Sequence, residues 1–277
     1  SDTKIDPSRS PFMKGRMDIL AEGDTVEEII AAAHLFGEEG ETNKVIFLKI
    51  NDRQGEDKIE NKERLHIERA IGSEMKGDFD LHNPEQFFAI APYQQRWYFG
   101  TYTKSEPIWF NHIKKPKEYS TALSTRVARA VANIAVPHPS GVRAIDPCCG
   151  IGTVLVEARS MDIDIVGRDI NPLVCIGSRE NLAYFGLTGQ VEKGAIQDIE
   201  EAYDVAIIDL PYNLYTHASW EEQLTILKHA KRIAKRVVIV TIESMDDRLE
   251  SIGLHIKDRC ITTKQQFERE ILVCESK

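Results

Sequence analysis

What this chain lacks narrows its function first. Among its 277 residues no apolar run approaches the roughly 18 to 20 needed for a membrane-spanning helix. The stretch from Ser1 to Arg16 is polar and mixed in charge, without the apolar centre of a signal peptide. Cysteine is scarce. The five present are an odd number, with Cys148 and Cys149 adjacent and Cys175, Cys260 and Cys274 scattered, which excludes a disulfide framework and a zinc-ligand spacing. The histidines, His138, His217 and His255 among them, also lack partner spacing, so no metal is assigned. No internal repeat or low-complexity tract interrupts the chain. These absences predict a soluble, cytoplasmic protein held reduced.

The composition, 42% hydrophobic and 29% charged, supports one large domain or two of moderate size. A net charge of -9 argues against blanket affinity for nucleic acid, but an average hides local fields. Between Pro92 and Arg129 seven cations face only two acids, Glu106 and Glu118, and the window also holds Tyr93, Trp97, Tyr98, Phe99, Tyr102, Trp109, Phe110 and Tyr119. Cations for phosphate interleaved with rings for stacking suit a nucleic-acid surface. A strand pair with buried aromatics followed by a solvated linker explains the same residues equally well. The candidate nucleic-acid contacts are Arg96, Lys114, Lys115, Lys117 and Arg126. A second cationic face, Lys228, Lys231, Arg232, Lys235 and Arg236 at helical spacing, reads more simply as a solvated helix face.

Periodicity predicts a mixed N-terminal region: a helix from Thr25 to Phe36, a strand from Val45 to Ile50, a helix from Ile59 to Glu74, and a hairpin of Phe87–Pro92 with Arg96–Thr103. A helix over Thr121–Val136 follows, with Val127, Ala130, Val131 and Ile134 on its apolar face and Arg126 and Arg129 off it. Strands and helices then alternate. The expected elements are Val142–Asp146, Thr153–Met161, Ile163–Gly167, Pro172–Phe185, Gln190–Lys193, Val205–Asp209, Trp220–Ala234 and Arg236–Thr241, closed by Leu254–Ile261 and Phe267–Cys274. Alternation of this kind means parallel strands covered by helices on both faces, with an antiparallel hairpin at one edge.

Two strand ends carry chemistry. After Asp146, Gly150 and Gly152 open a helix, where missing side chains let backbone amides approach a ligand. Asp169 and Asp198 each fall just past a later strand, where open α/β sheets hold ligands; they suit ribose hydroxyls and an adenine amine. The residue three beyond Gly152 is Leu155, so the dinucleotide fingerprint is broken, and Asp146 is better placed for a cationic amino-acid moiety. S-adenosylmethionine has an adenine, a ribose and such a moiety. Asp209-Leu210-Pro211-Tyr212 follows another strand. Its carboxylate and the Leu210 carbonyl can accept both protons of a nucleobase amine, Pro211 stiffens the turn, and Tyr212 can stack on the base.

Asp-Pro-x-Cys-Gly-x-Gly-Thr at 146–153 and Asp-Leu-Pro-Tyr at 209–212 resemble the THUMP-domain RNA methylase group of class I S-adenosylmethionine-dependent methyltransferases, tRNA guanosine 2-amino methyltransferases in particular. Lys115-Pro116, Tyr119–Ser124, Arg126 and Ala128-Arg129 are similar to the helix that precedes its catalytic sheet, and Gly77–Pro84 to part of a THUMP module. The resemblance implies a Rossmann-like seven-stranded methyltransferase sheet with an antiparallel C-terminal hairpin over residues 119–277, preceded by a smaller α+β, THUMP-like RNA-binding domain and linker over 1–118. It implies S-adenosylmethionine as cofactor, RNA, above all tRNA, as partner, and methylation of an exocyclic base amine. The candidate cofactor residues are Asp146, Pro147, Cys148, Gly150, Gly152, Thr153, Asp169, Ile170, Asp198 and Ile199; the catalytic ones are Asp209, Leu210, Pro211 and Tyr212. The chain departs from the group at Leu210, where a proline is usual, and at Asn213, where a glycine is common. Leucine is expected to loosen the turn. The same clamp serves adenine in DNA or ribosomal RNA, or a glutamine side chain, and the departures are also compatible with an inactive cofactor-binding RNA module.

Overall fold

A computed structural model describes residues 4–50, 59–120, 122–210, 219–264 and 267–276. The chain divides into two compact units, one of residues up to Ser8 with Phe12–Glu106, the other of Arg9–Pro11 with Pro107–Lys277. Residues 107–118, assigned from sequence to the first domain and its linker, cluster with the second unit.

The first unit contains β1 (Gly15–Gly23), α1 (Val26–Ala32), β2 (Thr42–Phe47), α2 (Asn61–Glu74), β3 (Asp78–Phe79), β4 (Gln86–Tyr93) and β5 (Arg96–Lys104), its sheet ordered β1-β5-β4-β2-β3. Ile29 of α1 and Ile67 and Ile71 of α2 pack on Val45, Phe88, Ile90 and Phe99 of the sheet. The hairpin closes on a two-residue turn, Gln94 and Gln95, both at positive φ (50° and 61°), which matches the right-handed twist of its strands. Sequence reading missed β1. Its register against β5 shifts between Ile19 and Ala21, and such a bulge breaks the alternation by which a strand is recognised.

The second unit runs α3 (Ile108–Asn111), α4 (Thr125–Ala135), β6 (Arg143–Asp146), α5 (Thr153–Arg159), β7 (Asp164–Asp169), α6 (Pro172–Tyr184), β8 (Gln190–Lys193), β9 (Tyr203–Asp209), α7 (Trp220–Ile233), β10 (Ala234–Thr241), α8 (Asp246–Ser251), β11 (Leu254–Lys264) and β12 (Phe267–Ser276). Its seven strands lie in the order β11-β12-β10-β9-β6-β7-β8. Those from β6 to β10 are mutually parallel, and β12 pairs antiparallel with both β10 and β11. This is the Rossmann-like methyltransferase sheet with its edge hairpin. One face buries Val205, Ile207, Val238 and Val240 against α4, α5 and α6; the other buries Ala206, Ile208, Val237 and Ile239 against α7 and α8. Two-sided burial explains why the strands read as continuous apolar runs.

One helix, α4, differs from its sequence pattern in two ways. The helix expected from Thr121 begins at Thr125, because Ser124 caps it by accepting the Val127 amide. Its most buried residues are Ala128, Val131, Ala132, Ala135 and, against expectation, Arg129, which is 1% exposed. Arg129 leaves the polar side because it has a partner inside. Its guanidinium donates to the Glu157 carboxylate (2.9 Å), which also holds the His112 ring (2.7 Å), both acceptor and ring being buried.

Candidate active site

Strand order places the site. The chain passes from β6 to β7 and β8 on one side and returns to β9 and β10 on the other, so β6 stands where the order reverses, and a crevice opens beyond the C-terminal ends of such strands. There Asp146 ends β6, Asp169 ends β7 and Asp209 ends β9. All three line one cavity of about 950 Å³.

The glycine turn is shaped by its backbone. Gly150 (φ +52°) has open space where a side chain would begin, so its bare backbone faces the cavity without obstruction. Gly152 (φ +77°) does something else. It lies outside the cavity lining, and a Cβ there would collide with the hydroxyl of Ser178 on α6, so this glycine permits close packing. Asp169 organises the turn from β7, one oxygen accepting the Gly150 amide (3.0 Å) and the other the Asn171 amide (2.9 Å).

Burial pushes the Asp146 carboxyl well above the usual carboxylate range, and the charges of Asp209 and Asp169 push the same way, against a single amide hydrogen bond from Cys148 (3.2 Å). Carboxylates gathered in one crevice favour a cation between them. The Thr153 hydroxyl, also in the lining, is buried without a hydrogen-bond partner among the described residues and is therefore available to a ligand. Burial, reinforced by Asp146 and Asp169, raises the Cys148 and Cys149 thiols, which makes them poor nucleophiles.

Of the expected cofactor residues, Asp146, Pro147, Cys148, Gly150, Thr153, Asp169 and Ile170 line the cavity, whereas Gly152, Asp198 and Ile199 do not. The wall at the third position is Ala195, Ile196 and Gln197, because a short 3-10 turn over Ile196–Asp198 places its first residues toward the crevice and Ile199 in the core beneath. Sequence reading missed the wall from Ser219, Glu221, Glu222, Thr225 and Ile226 at the start of α7, and that from Tyr119, Ala122 and Leu123. The capping box of Ser219 with Glu222 was the signal for the first.

Asp209 and Leu210 both line the cavity; Pro211, Tyr212 and Asn213 lie outside the described residues. Leu210 itself is tied to the sheet. Its amide donates to Val240 O on β10 (3.0 Å), which a proline could not do, and its side chain is buried with Ile208 and Ile239.

The cations expected at RNA are partly engaged. Arg96, in the first unit, faces Glu22 (3.5 Å) and Asp24 (3.4 Å). In the second, Lys117 pairs with Glu180 (3.1 Å), Arg126 stacks over Trp109 at 4.5 Å from the ring centre, and Lys114 is exposed. Burial lowers the pKa of Lys115 from the usual lysine range. The five cations expected on one helix face divide between two elements, because α7 ends at Ile233: Lys228, Lys231 and Arg232 lie on α7, Lys235 and Arg236 on β10. Three of them are structural: Lys231 donates to Ile252 O, Arg232 to Gln197 O and Arg236 to Ile134 O. Among the described residues no cluster suits a metal ion, and no helix is long and apolar enough to cross a membrane.

Comparison with known proteins adds the following. The family model UPF0020, described as RMKL-like, methyltransferase domain, matches residues 113–265. Over 112 residues the chain is 33% identical to a tRNA (guanine(10)-N2)-dimethyltransferase of Methanothermobacter thermautotrophicus, an alignment covering 39% of this chain and 33% of that protein. Over 100 residues it is 34% identical to the mouse U6 snRNA (guanine-N(2))-methyltransferase THUMPD2, covering 34% of this chain and 19% of that protein. The aligned segments thus span a third or less of these relatives' lengths. Among solved structures, TrmN from Thermus thermophilus aligns at TM-score 0.51 and 17% identity, covering 96% of this chain and 84% of that one. The protein SMU.472, crystallised with SAH, aligns at 0.51 and 13%, covering 94% and 83%. These two likenesses concern the fold.

Proposed function

The chain belongs to the UPF0020 RMKL-like methyltransferase family, and from that premise we propose that it methylates an exocyclic base amine of RNA, the 2-amino group of a guanosine in tRNA foremost, with S-adenosylmethionine as methyl donor. The observation that carries this reading is the convergence of Asp146, Asp169 and Asp209, from the ends of adjacent strands, on one cavity. The names of the relatives, both guanine-N2 enzymes acting on RNA, support the choice of amine and polymer.

Asp146, Thr153, the side-chain-free approach at Gly150, and Asp169 would hold the cofactor's amino-acid and ribose parts, and Ala195–Gln197 its adenine. Bound there, S-adenosylmethionine supplies an electrophilic methyl on a sulfonium. The acceptor amine is a poor nucleophile because its lone pair is delocalised into the ring. Asp209 and the Leu210 carbonyl would each accept one of its protons, which favours a pyramidal nitrogen, and Asp209 takes the proton that leaves. The Leu210–Val240 hydrogen bond holds this clamp to the sheet.

In this reading the first unit is a THUMP-like RNA-binding domain, and Lys114, Lys115, Lys117 and Arg126 contact the same RNA near the site. The protein acts in the cytoplasm, as its five free cysteines suggest. The deciding experiment is radiolabelled methyl transfer to tRNA, ribosomal RNA, small nuclear RNA, DNA and protein, followed by nucleoside mass spectrometry. N2-methylguanosine in tRNA supports the proposal, whereas label confined to DNA or protein, or none at all, rejects it.

Two ligand-binding results are expected. Asp169→Ala should weaken adenosylhomocysteine binding by about 1.5 to 3 kcal/mol, the worth of a hydrogen bond to a charged group. Calorimetry showing equal affinity would remove Asp169 from the site. The second concerns Asp146. Its raised folded pKa means that the ligand-free protein loses stability as pH rises from the ordinary aspartate value through the raised one. A ligand ammonium favours the ionised form, so binding should release a proton and tighten with pH across that window, then level off. Titration in buffers of differing ionisation enthalpy measures this, and affinity independent of pH would exclude the pairing.

A further inference from the structure

Asn181 stands on α6 outside the cavity lining, yet it joins two of the cavity's walls. Its side chain is fully buried. The amide nitrogen donates both to Lys117 O (3.0 Å) and to Ile151 O (2.9 Å), and the amide oxygen accepts the Lys117 N–H (2.9 Å). Both donors and the acceptor are thereby used, which leaves little freedom to the ring-like pairing with Lys117. Ile151 lies within the glycine turn, between Gly150 and Gly152; Lys117 lies two residues before Tyr119, on the strap that leads into α4. Ile151 and Tyr119 both line the cavity.

The rest of α6 is shaped for the same seat. At Gly177, one turn before Asn181, a Cβ would already rest 3.5 Å from Lys117 Cβ and 3.7 Å from Ile151 Cγ2, so a larger side chain would wedge strap and turn away from the helix. Ser178 occupies the space that the absent side chain of Gly152 leaves. The exposed Lys117–Glu180 pair adds little by comparison.

We propose that Asn181 is a positioning residue of the cofactor site: by locking the Lys117 strap to the Ile151 carbonyl it makes the Tyr119 wall and the glycine turn one rigid cradle, and so sets cofactor affinity. This rests on the reading of the cavity as an S-adenosylmethionine site. Without the amide, the strap would be free to part from the turn, and binding would have to order it again.

The test uses the full chain with adenosylhomocysteine as probe, reading affinity by calorimetry and amide hydrogen exchange at residues 115–119 and 150–153. Wild type should bind, with exchange slowed in both segments. Asn181→Ala should bind at least about tenfold more weakly, and the ligand should then protect the glycine turn but no longer the strap. Lys117→Pro deletes one of the three hydrogen bonds from the exposed strap, leaves the α6 core intact, and should show a smaller loss of the same kind. Unchanged affinity in Lys117→Pro and in folded Asn181→Ala overturns the proposal, as does exchange that rises evenly through the second unit. A wild type that fails to bind instead overturns the cofactor reading, and the inference with it.

Discussion

Replacing Asp209 by alanine should lower methyl transfer by about 10³-fold or more, while adenosylhomocysteine binds with nearly unchanged affinity. The size follows from the function assigned to the carboxylate. A preorganised group that acts on charge developing in the transition state is typically worth about 3 to 4 kcal/mol, and Asp209 also receives the proton. Cofactor affinity should survive because Asp146, Thr153 and Asp169 remain; removing one of three carboxylates also relieves repulsion at Asp146. Single-turnover rates on the RNA substrate, beside calorimetry, separate the two effects. Undiminished turnover by Asp209→Ala would end the mechanism proposed above, whereas lost cofactor binding would recast Asp209 as a ligand-holding group.

The second large effect is on stability. Glu157 lies on α5, directly after the glycine turn, and its carboxylate is shared by Arg129 of α4 and His112 of the preceding segment, all three buried. Glu157→Met leaves the Arg129 guanidinium in the core without its counter-ion, and a stranded buried charge costs about 3 to 5 kcal/mol. Urea unfolding of the variant should shift accordingly. Replacing both partners, Arg129→Met with Glu157→Met, should cost less than the single change, since no charge is then stranded. Equal or greater loss in the double variant would mean that the pair contributes net stability beyond balancing its own desolvation. The Arg129 guanidinium also donates to Arg9 O and to the Ser160 hydroxyl, so the pair stitches three segments of the second unit.

The two effects separate what lay in the open from what was hidden. Asp209 was legible because its surroundings are local: an apolar run, an acid at its end, then a turn. Arg129 was not. On a helical wheel it falls beside the apolar stripe of α4, and a lone arginine there reads as surface; only the arrival of Glu157, 28 residues later in the chain, makes burial tolerable. Leu210 adds a bond that its own neighbours do not announce. Its amide meets Val240 O on the neighbouring strand, which a proline's could not, and no local pattern in the sequence marks that partner.

By itself the sequence determined the α/β alternation, the strand ends with their acids, the glycine turn and the edge hairpin, because each follows from contacts within a few residues: side-chain period, backbone freedom at glycine, and caps. Tertiary structure alone decided which of those acids share a cavity, that Gln197 rather than Asp198 stands in its wall, and that α7 supplies another wall. It also decided the partners of Asn181, which holds Lys117 across 64 residues of chain. The physical reason is range. Periodicity records which face of an element is apolar, but a polar group's partner is chosen by strand order and crossover, and these bring together residues whose separation along the chain carries no signal.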